Sequence, residues 1–185
     1  MMMLKTIGIL SILEEKVLDE VLRLWKLFET KYRSMGVRSF AYPNLSFQGG
    51  RCHDVAPIED ALSSLSRHLR PFELILDGFG SFETHSKVIF LKVKLTDELR
   101  HINQVVNRML QRHCEEVFDN YLPERWVPHV TVAMGDLTDD NLERAKRDLS
   151  GFHPHYRQRI SIIHLVQVCD ETGLIEIVKS CTLGR

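Results

Sequence analysis

Two near-matching hexapeptides, YPNLSF at 42–47 and VPHVTV at 127–132, sit in opposite halves of this chain. Each reads apolar or aromatic residue, Pro, polar residue, branched aliphatic, hydroxyl, large apolar residue. Polar and apolar side chains alternate as they do on a strand with one buried face. Asn44 and Ser46 then share a face in the first copy, and His129 and Thr131 share one in the second. Leu45, Phe47, Val130 and Val132 turn the other way. Pro43 and Pro128 cannot donate to a ladder, so both mark strand starts or edges. The copies differ in chemistry at one position, where Asn44 matches His129.

The surrounding pattern repeats as well. LKTIGILSI (4–12) reads as a buried strand, and Val17, Val21, Leu24 and Phe28, widened by Leu18, Leu22 and Trp25, predict a helix from Glu14 to Tyr32. SFAYPNLSF is strand-like and closed by Gly49-Gly50. A helix follows Pro57 on Ile58, Leu62, Leu65 and Leu69, then a strand, FELILDGFGSF, and a turn at THS. The order then begins again with the strand KVIFLKVKL (87–95) and a helix on Leu99, Ile102, Val106, Met109 and Leu110. A loop around Pro123 leads to the strand PHVTVA, closed by Gly135. Thr138 caps a helix with Asp139 and Asp140 in its first turn, where acids suit the helix dipole, and Gly151 ends it. RISIIHLVQV is a further strand, and a turn at Glu171–Gly173 leads to the closing strand LIEIVKSCTL. With Pro43 aligned on Pro128, Gly50 falls on Gly135. The expected fold is α+β: one domain, 1–185, of two pseudo-symmetric strand-helix-strand-helix-strand halves, about 1–86 and 87–185, forming two lobes around a central cleft.

A net charge of −1 excludes a global pull toward nucleic acid or anionic membrane, so any basic cleft must be local. Cys52, Cys114, Cys169 and Cys181 form neither a C-x-x-C pair nor a zinc-like spacing, which points to reduced thiols and a cytoplasmic protein. The N-terminal apolar run lacks a small-residue cleavage pattern and runs into Glu14 and Glu15, as a buried strand does and a signal peptide does not. Met1–Met3 reads as a loosely packed terminus. No apolar stretch approaches the roughly 20 residues of a membrane span. HPHY at 153–156 has no partnering acids at ligand spacing and reads as a surface loop; GFG at 78–80 is too short for a dinucleotide loop. No metal and no cofactor is expected.

Two such strands facing across a pseudo-two-fold cleft would surround a small anion, offering a hydroxyl and an amide or imidazole from each side. An imidazole titrates near neutrality and can give or take a proton. The doubled Pro-His-x-Thr/Ser-apolar pattern resembles the two-histidine phosphoesterase superfamily, which includes 2′-5′ RNA ligase-like proteins, RNA 2′,3′-cyclic phosphodiesterases and nucleotide-binding relatives. PHVTVA is a full match, whereas PNLSF matches except at the histidine.

The resemblance implies metal-free opening of a cyclic phosphodiester, or cleavage and joining of a 2′-5′ linkage. His129 would be the surviving acid or base, acting with Thr131, while Thr131 and Ser46 hold the phosphate. Asn44 would bind an oxygen where the other proton carrier is missing. Tyr42 and Arg125, with Trp126, precede the motifs and could stack a base or steer a phosphate. Family members often carry a basic residue after the second motif, where Met134 and Gly135 stand here. His53, His68, His153 and His155 are candidates to replace the lost histidine, although none has the spacing to be assigned. The expected partner is a nucleotide, or a small or single-stranded RNA end with a cyclic phosphate, and no membrane. Three readings follow: an enzyme, a catalytically impaired nucleotide- or phosphate-binding module, and a protein-interaction module on the same scaffold.

Overall fold

In the computed structural model, residues 4–169 and 171–184 are described, so the expectation for Met1–Met3 lies outside them. The strands are β1 (Lys5–Ile12), β2 (Asn44–Cys52), β3 (Phe72–Glu83), β4 (Lys87–Val93), β5 (Glu116–Val117), β6 (His129–Met134), β7 (His155–Ile160), β8 (Ile162–Val168) and β9 (Ile175–Thr182). The helices are α1 (Glu15–Tyr32), α2 (Ala56–Ser66), α3 (Asp97–His113) and α4 (Asp139–Leu149), with 3-10 turns at Gly36–Ser39 and Asp119–Tyr121.

The strands form two antiparallel sheets, ordered β5-β2-β1-β8-β9 and β6-β4-β3-β7. Each sheet is the centre of one lobe, and each draws strands from both sequence halves. The link between β3 and β4 is short enough for only a hairpin, with Glu83 paired to Lys87, so β3 is drawn into the sheet of the second half. Helices are exchanged too: α1 packs on β6 and β7, while α3 packs on β2 and meets α2. The apolar stripes face inward as their spacing requires. Val17, Val21, Leu24, Trp25 and Phe28 are buried from α1, and Leu99, Ile102, Val106 and Leu110 from α3. Thr138 caps α4 by accepting the Asn141 amide, as its position implies.

Several boundaries differ from those read in the sequence: SFAYPNLSF is a strand only from Asn44, its start lying in the 3-10 turn and the bend before Pro43, and the strand read over 87–95 ends at Val93. RISIIHLVQV is two strands in two different sheets, because Ser161 carries the chain from one lobe to the other. The change is one of period: β7 alternates exposed His155, Arg157 and Arg159 with half-buried Tyr156 and Gln158, whereas β8 is mostly buried. HPHY is accordingly no simple loop, since His155 and Tyr156 open β7.

The pair Gly49-Gly50 does not close β2 but lies inside it. A Cβ on Gly49 would stand 2.7 Å from the Phe118 ring, and one on Gly50 would stand 2.5 Å from the Glu116 carbonyl oxygen. These glycines admit the segment around β5 at close range. Gly135 does end β6, with φ +82°, so Gly50 and Gly135 coincide in register and not in role. Among the described residues, no helix is long and apolar enough to cross a membrane.

Candidate functional site

The motif strands β2 and β6 begin immediately after their prolines, and each proline carbonyl accepts an amide from the end of a neighbouring strand. Leu13 N–H donates to Pro43 at 3.0 Å, and Val93 N–H donates to Pro128 at 3.2 Å. Ladder registers match as well. In β2, Asn44, Leu45 and Ser46 pair with Ile12, Ser11 and Leu10; in β6, His129, Val130 and Thr131 pair with Lys92, Leu91 and Phe90. Both ladders then slip by one residue immediately after the hydroxyl, leaving Phe47 and Val132 as bulged residues. Bulges of this kind bend a strand and re-aim its side chains. Leu45, Phe47, Val130 and Val132 are fully buried, while Asn44, Ser46, His129 and Thr131 are half-buried on the cleft side.

Two tryptophans brace this arrangement reciprocally. Trp25, on α1 of the first half, donates its indole N–H to the Thr131 carbonyl at 3.0 Å. Trp126, ahead of β6 in the second half, donates to the Ser46 carbonyl at 3.2 Å. Each hydroxyl-bearing residue is thereby fixed by an indole from the other half.

The two polar positions are anchored alike. His129 Nδ1 lies 2.7 Å from the Val127 carbonyl oxygen, and Asn44 Nδ2 donates to the Tyr42 carbonyl at 3.0 Å. A carbonyl only accepts, so Nδ1 of His129 carries the proton, and in the neutral ring the lone pair is on Nε2. Phe82 and Phe90 wall this ring, with centroids 5.1 and 5.0 Å from its own. Burial pushes the His129 pKa below the usual imidazole value, and the Val127 carbonyl offsets this in part. A neutral imidazole with a free lone pair at pH 7 is suited to act as a base. Ser46 donates its hydroxyl to Asn44 Oδ1 at 2.9 Å, so the first copy is linked within itself.

Asn44, Ser46, His129 and Thr131 line one pocket together with Trp25, Val37, Phe40 and Tyr121. Its volume is about 20 Å³, room for roughly one water molecule. Val37 and Phe40 come from the segment between α1 and β2, which Asp136 clamps by accepting from the Ser34 hydroxyl and from the amides of Met35 and Gly36. Larger hollows open from this neck. One of about 340 Å³ reaches His129 past Phe82, Arg125 and Tyr121. Others, of about 200 and 250 Å³, run over the apolar cleft face of the first sheet.

The four motif side chains named from the sequence thus meet in one place. Arg125 lies beside His129 in the adjoining hollow, 3.7 Å from Asp119, and Tyr42 faces the hollow on the Asn44 side, half exposed. Trp126 is a packing and bracing residue. His53, His68, His153 and His155 are all exposed and line none of the pocket. Tyr121, Trp25, Val37, Phe40, Phe82 and Phe90 were not legible as site residues. Trp25 looks like one more member of a helix stripe, and Tyr121 has no counterpart in the repeat.

A family model described as the 2′-5′ RNA ligase superfamily matches residues 38–170. A Staphylococcus epidermidis protein, named provisionally as a phosphoesterase, is 23% identical over 178 residues, covering 96% of this chain and 99% of that one. A similarly named Bacillus licheniformis protein is 27% identical over 132 residues, 71% of this chain and 72% of its own. Among solved structures, LigT of E. coli complexed with 3′-AMP superposes with a TM-score of 0.67 at 15% identity, covering 98% of this chain and 99% of its own.

Proposed function

Because this chain belongs to the 2′-5′ RNA ligase superfamily, we propose that the hollow of about 340 Å³ beside His129 takes a phosphodiester of RNA or of a small nucleotide at the mouth of the neck between β2 and β6, with a 2′,3′-cyclic phosphate or a 2′-5′ linkage as the reacting group. The observation that carries this reading is the convergence of Asn44, Ser46, His129 and Thr131 on one pocket from two different sheets. His129 Nε2 takes a proton from the attacking water or hydroxyl, and later returns it. Thr131 and Ser46 hold the non-bridging oxygens, Asn44 contributes its amide, and Arg125 and Tyr42 flank the nucleoside on either side. LigT has been solved with phosphate and with ATP as well as with 3′-AMP, ligands of the kind this reading requires. The protein would then work in the cytoplasm on a free nucleotide or an RNA end.

The test is hydrolysis of 2′,3′-cyclic nucleotides by the purified protein and by His129→Ala. Turnover that falls about 10²–10⁴-fold in the variant is expected, the usual contribution of a positioned acid or base. Equal traces of turnover in the two proteins would sink the catalytic reading. Asn44 favours a second reading, in which the same pocket binds nucleotide or phosphate with little or no turnover. Calorimetry with mononucleotides would then show binding that weakens in Thr131→Ala, and no hydrolysis.

A further inference from the structure

We infer that Tyr121 supplies the proton that Asn44 cannot, acting as the acid toward the leaving oxygen while His129 acts as the base; this rests on the phosphodiesterase reading above. Of the side chains that line the neck, Trp25, Val37, Phe40, Asn44, Ser46 and Thr131 carry no proton that exchanges usefully near neutrality. His129 does, and Tyr121 carries a phenolic proton that, although held at neutral pH, can pass to the more basic alkoxide that forms as a ribose oxygen leaves. Tyr121 also lines the hollow beside His129 and the one beside Ser46, so a group seated in the neck from either side meets it. Its neighbour is the Ser46 hydroxyl, already turned toward Asn44 Oδ1. Burial holds the phenol above its ordinary pKa, which keeps the proton in place for donation.

The turn that presents Tyr121 is held by an unusual investment of buried amides. Asn103 Nδ2 donates to the carbonyls of Phe47 at 2.8 Å and Tyr121 at 3.0 Å. Asn107 Nδ2 donates to the same Tyr121 carbonyl at 3.0 Å and to Asn103 at 3.1 Å. Gln48 donates to Asn107 Oδ1 at 2.6 Å and accepts the Gly49 amide at 2.8 Å. Gln48, Asn103 and Asn107 are 1%, 1% and 2% exposed. Burying three amides is costly unless each is satisfied, and here the partners include the carbonyl of Phe47 on β2 and that of Tyr121 on the turn, which Asn103 joins. The motif strand and the phenol are therefore positioned as one unit.

In the reaction, His129 Nε2 accepts a proton from water as its oxygen bonds to phosphorus. The phosphorus–oxygen bond to the ribose breaks, and that oxygen takes the Tyr121 proton. The imidazolium proton then returns to the phenolate through solvent in the pocket, so the net change is addition of one water.

The test compares two substrates, a 2′,3′-cyclic nucleotide, whose poor leaving group needs a proton, and a 4-nitrophenyl phosphodiester, whose leaving group does not. Tyr121→Phe should lower kcat on the cyclic nucleotide about 10²–10³-fold with KM within about threefold, and on the nitrophenyl ester by less than about fivefold. His129→Ala should lose activity on both. An unchanged urea midpoint in Tyr121→Phe shows that the fold survives. No loss on the cyclic nucleotide, or an equal loss on both substrates, overturns the role of Tyr121 and leaves the phosphodiesterase reading standing. Wild type that matches His129→Ala on both substrates overturns both.

Discussion

β2 lies inside its sheet, between β1 and β5, whereas β6 forms the edge of the other. Their surroundings differ accordingly. β2 is backed by α3 and a buried amide network, and β6 by α1 with Phe82 and Phe90 around its histidine. Yet both strands start after a clasped proline, slip register after the hydroxyl, receive one indole on the same carbonyl and anchor the first polar side chain two residues back. What separates them is that an imidazole exchanges a proton near neutrality and a carboxamide does not. On the proposed reading, the geometry that would hold a ligand and the group that would move a proton are separable, and the first copy would keep the former without the latter.

Making the two copies identical in either direction is the strongest way to break the comparison. His129→Asn should retain nucleotide binding within a few-fold and lose turnover by about 10²–10⁴-fold, measured as kcat on a 2′,3′-cyclic nucleotide. Asn44→His is expected to raise kcat by about 10–10²-fold, since the new ring inherits the Tyr42 carbonyl as its Nδ1 partner. A loss of activity in Asn44→His would mean that β2 is set for an amide and not for a vacated imidazole.

The asymmetry of backing predicts a difference in stability. Asn107→Ala leaves the Gln48 amide N–H unpaired in the interior and the Tyr121 carbonyl with Asn103 as its remaining donor, at a cost of about 1–3 kcal/mol by urea unfolding. Among the described residues the network has no counterpart behind β6, so an effect this size is expected of the first copy.

The pH dependence sharpens the same contrast from the other side. The pKa of His129 is depressed by burial, so the acid limb of kcat/KM should lie below the ordinary histidine value. The folded state also resists protonation that the unfolded chain accepts. Stability is therefore fully present above the unfolded histidine pKa, near 6.5, and is lost as pH falls from there through the folded value. His164, buried beside Ser180 and likewise depressed, adds to the same loss. Urea midpoints across this window should fall less steeply in His129→Asn than in the parent.

The cleft face of both motif strands was legible because a period of two needs only the local sequence, and the prolines fixed where it starts. The strand exchange between halves was not, since the pairing of β3 with β4 depends on a short turn overruling the repeat. The break at Ser161 was hidden in a run of uninterrupted apolar character, where only the loss of alternation marks a new sheet. Tyr121 escaped for a different reason. Its place in the neck is set by contacts of its backbone with α3, and no side-chain pattern near residue 121 reports them.

The smallest expected effect concerns the two indoles, and it separates bracing from packing. Trp25 and Trp126 are 2% and 6% exposed, so each mixes a large buried ring with a single hydrogen bond. Replacement by Phe keeps most of the ring and removes the donor, leaving the Thr131 or Ser46 carbonyl unpaired, which should cost about 0.5–1.5 kcal/mol in each case. The two bonds anchor opposite walls of one neck, and β2 and β6 touch one another there. If the walls settle as a unit, the double variant should differ from the sum of the singles by more than about 0.5 kcal/mol in a mutant cycle. Strict additivity would mean that each strand is held by its own sheet alone, and that the neck owes its width to the sheets and not to the reciprocal indoles.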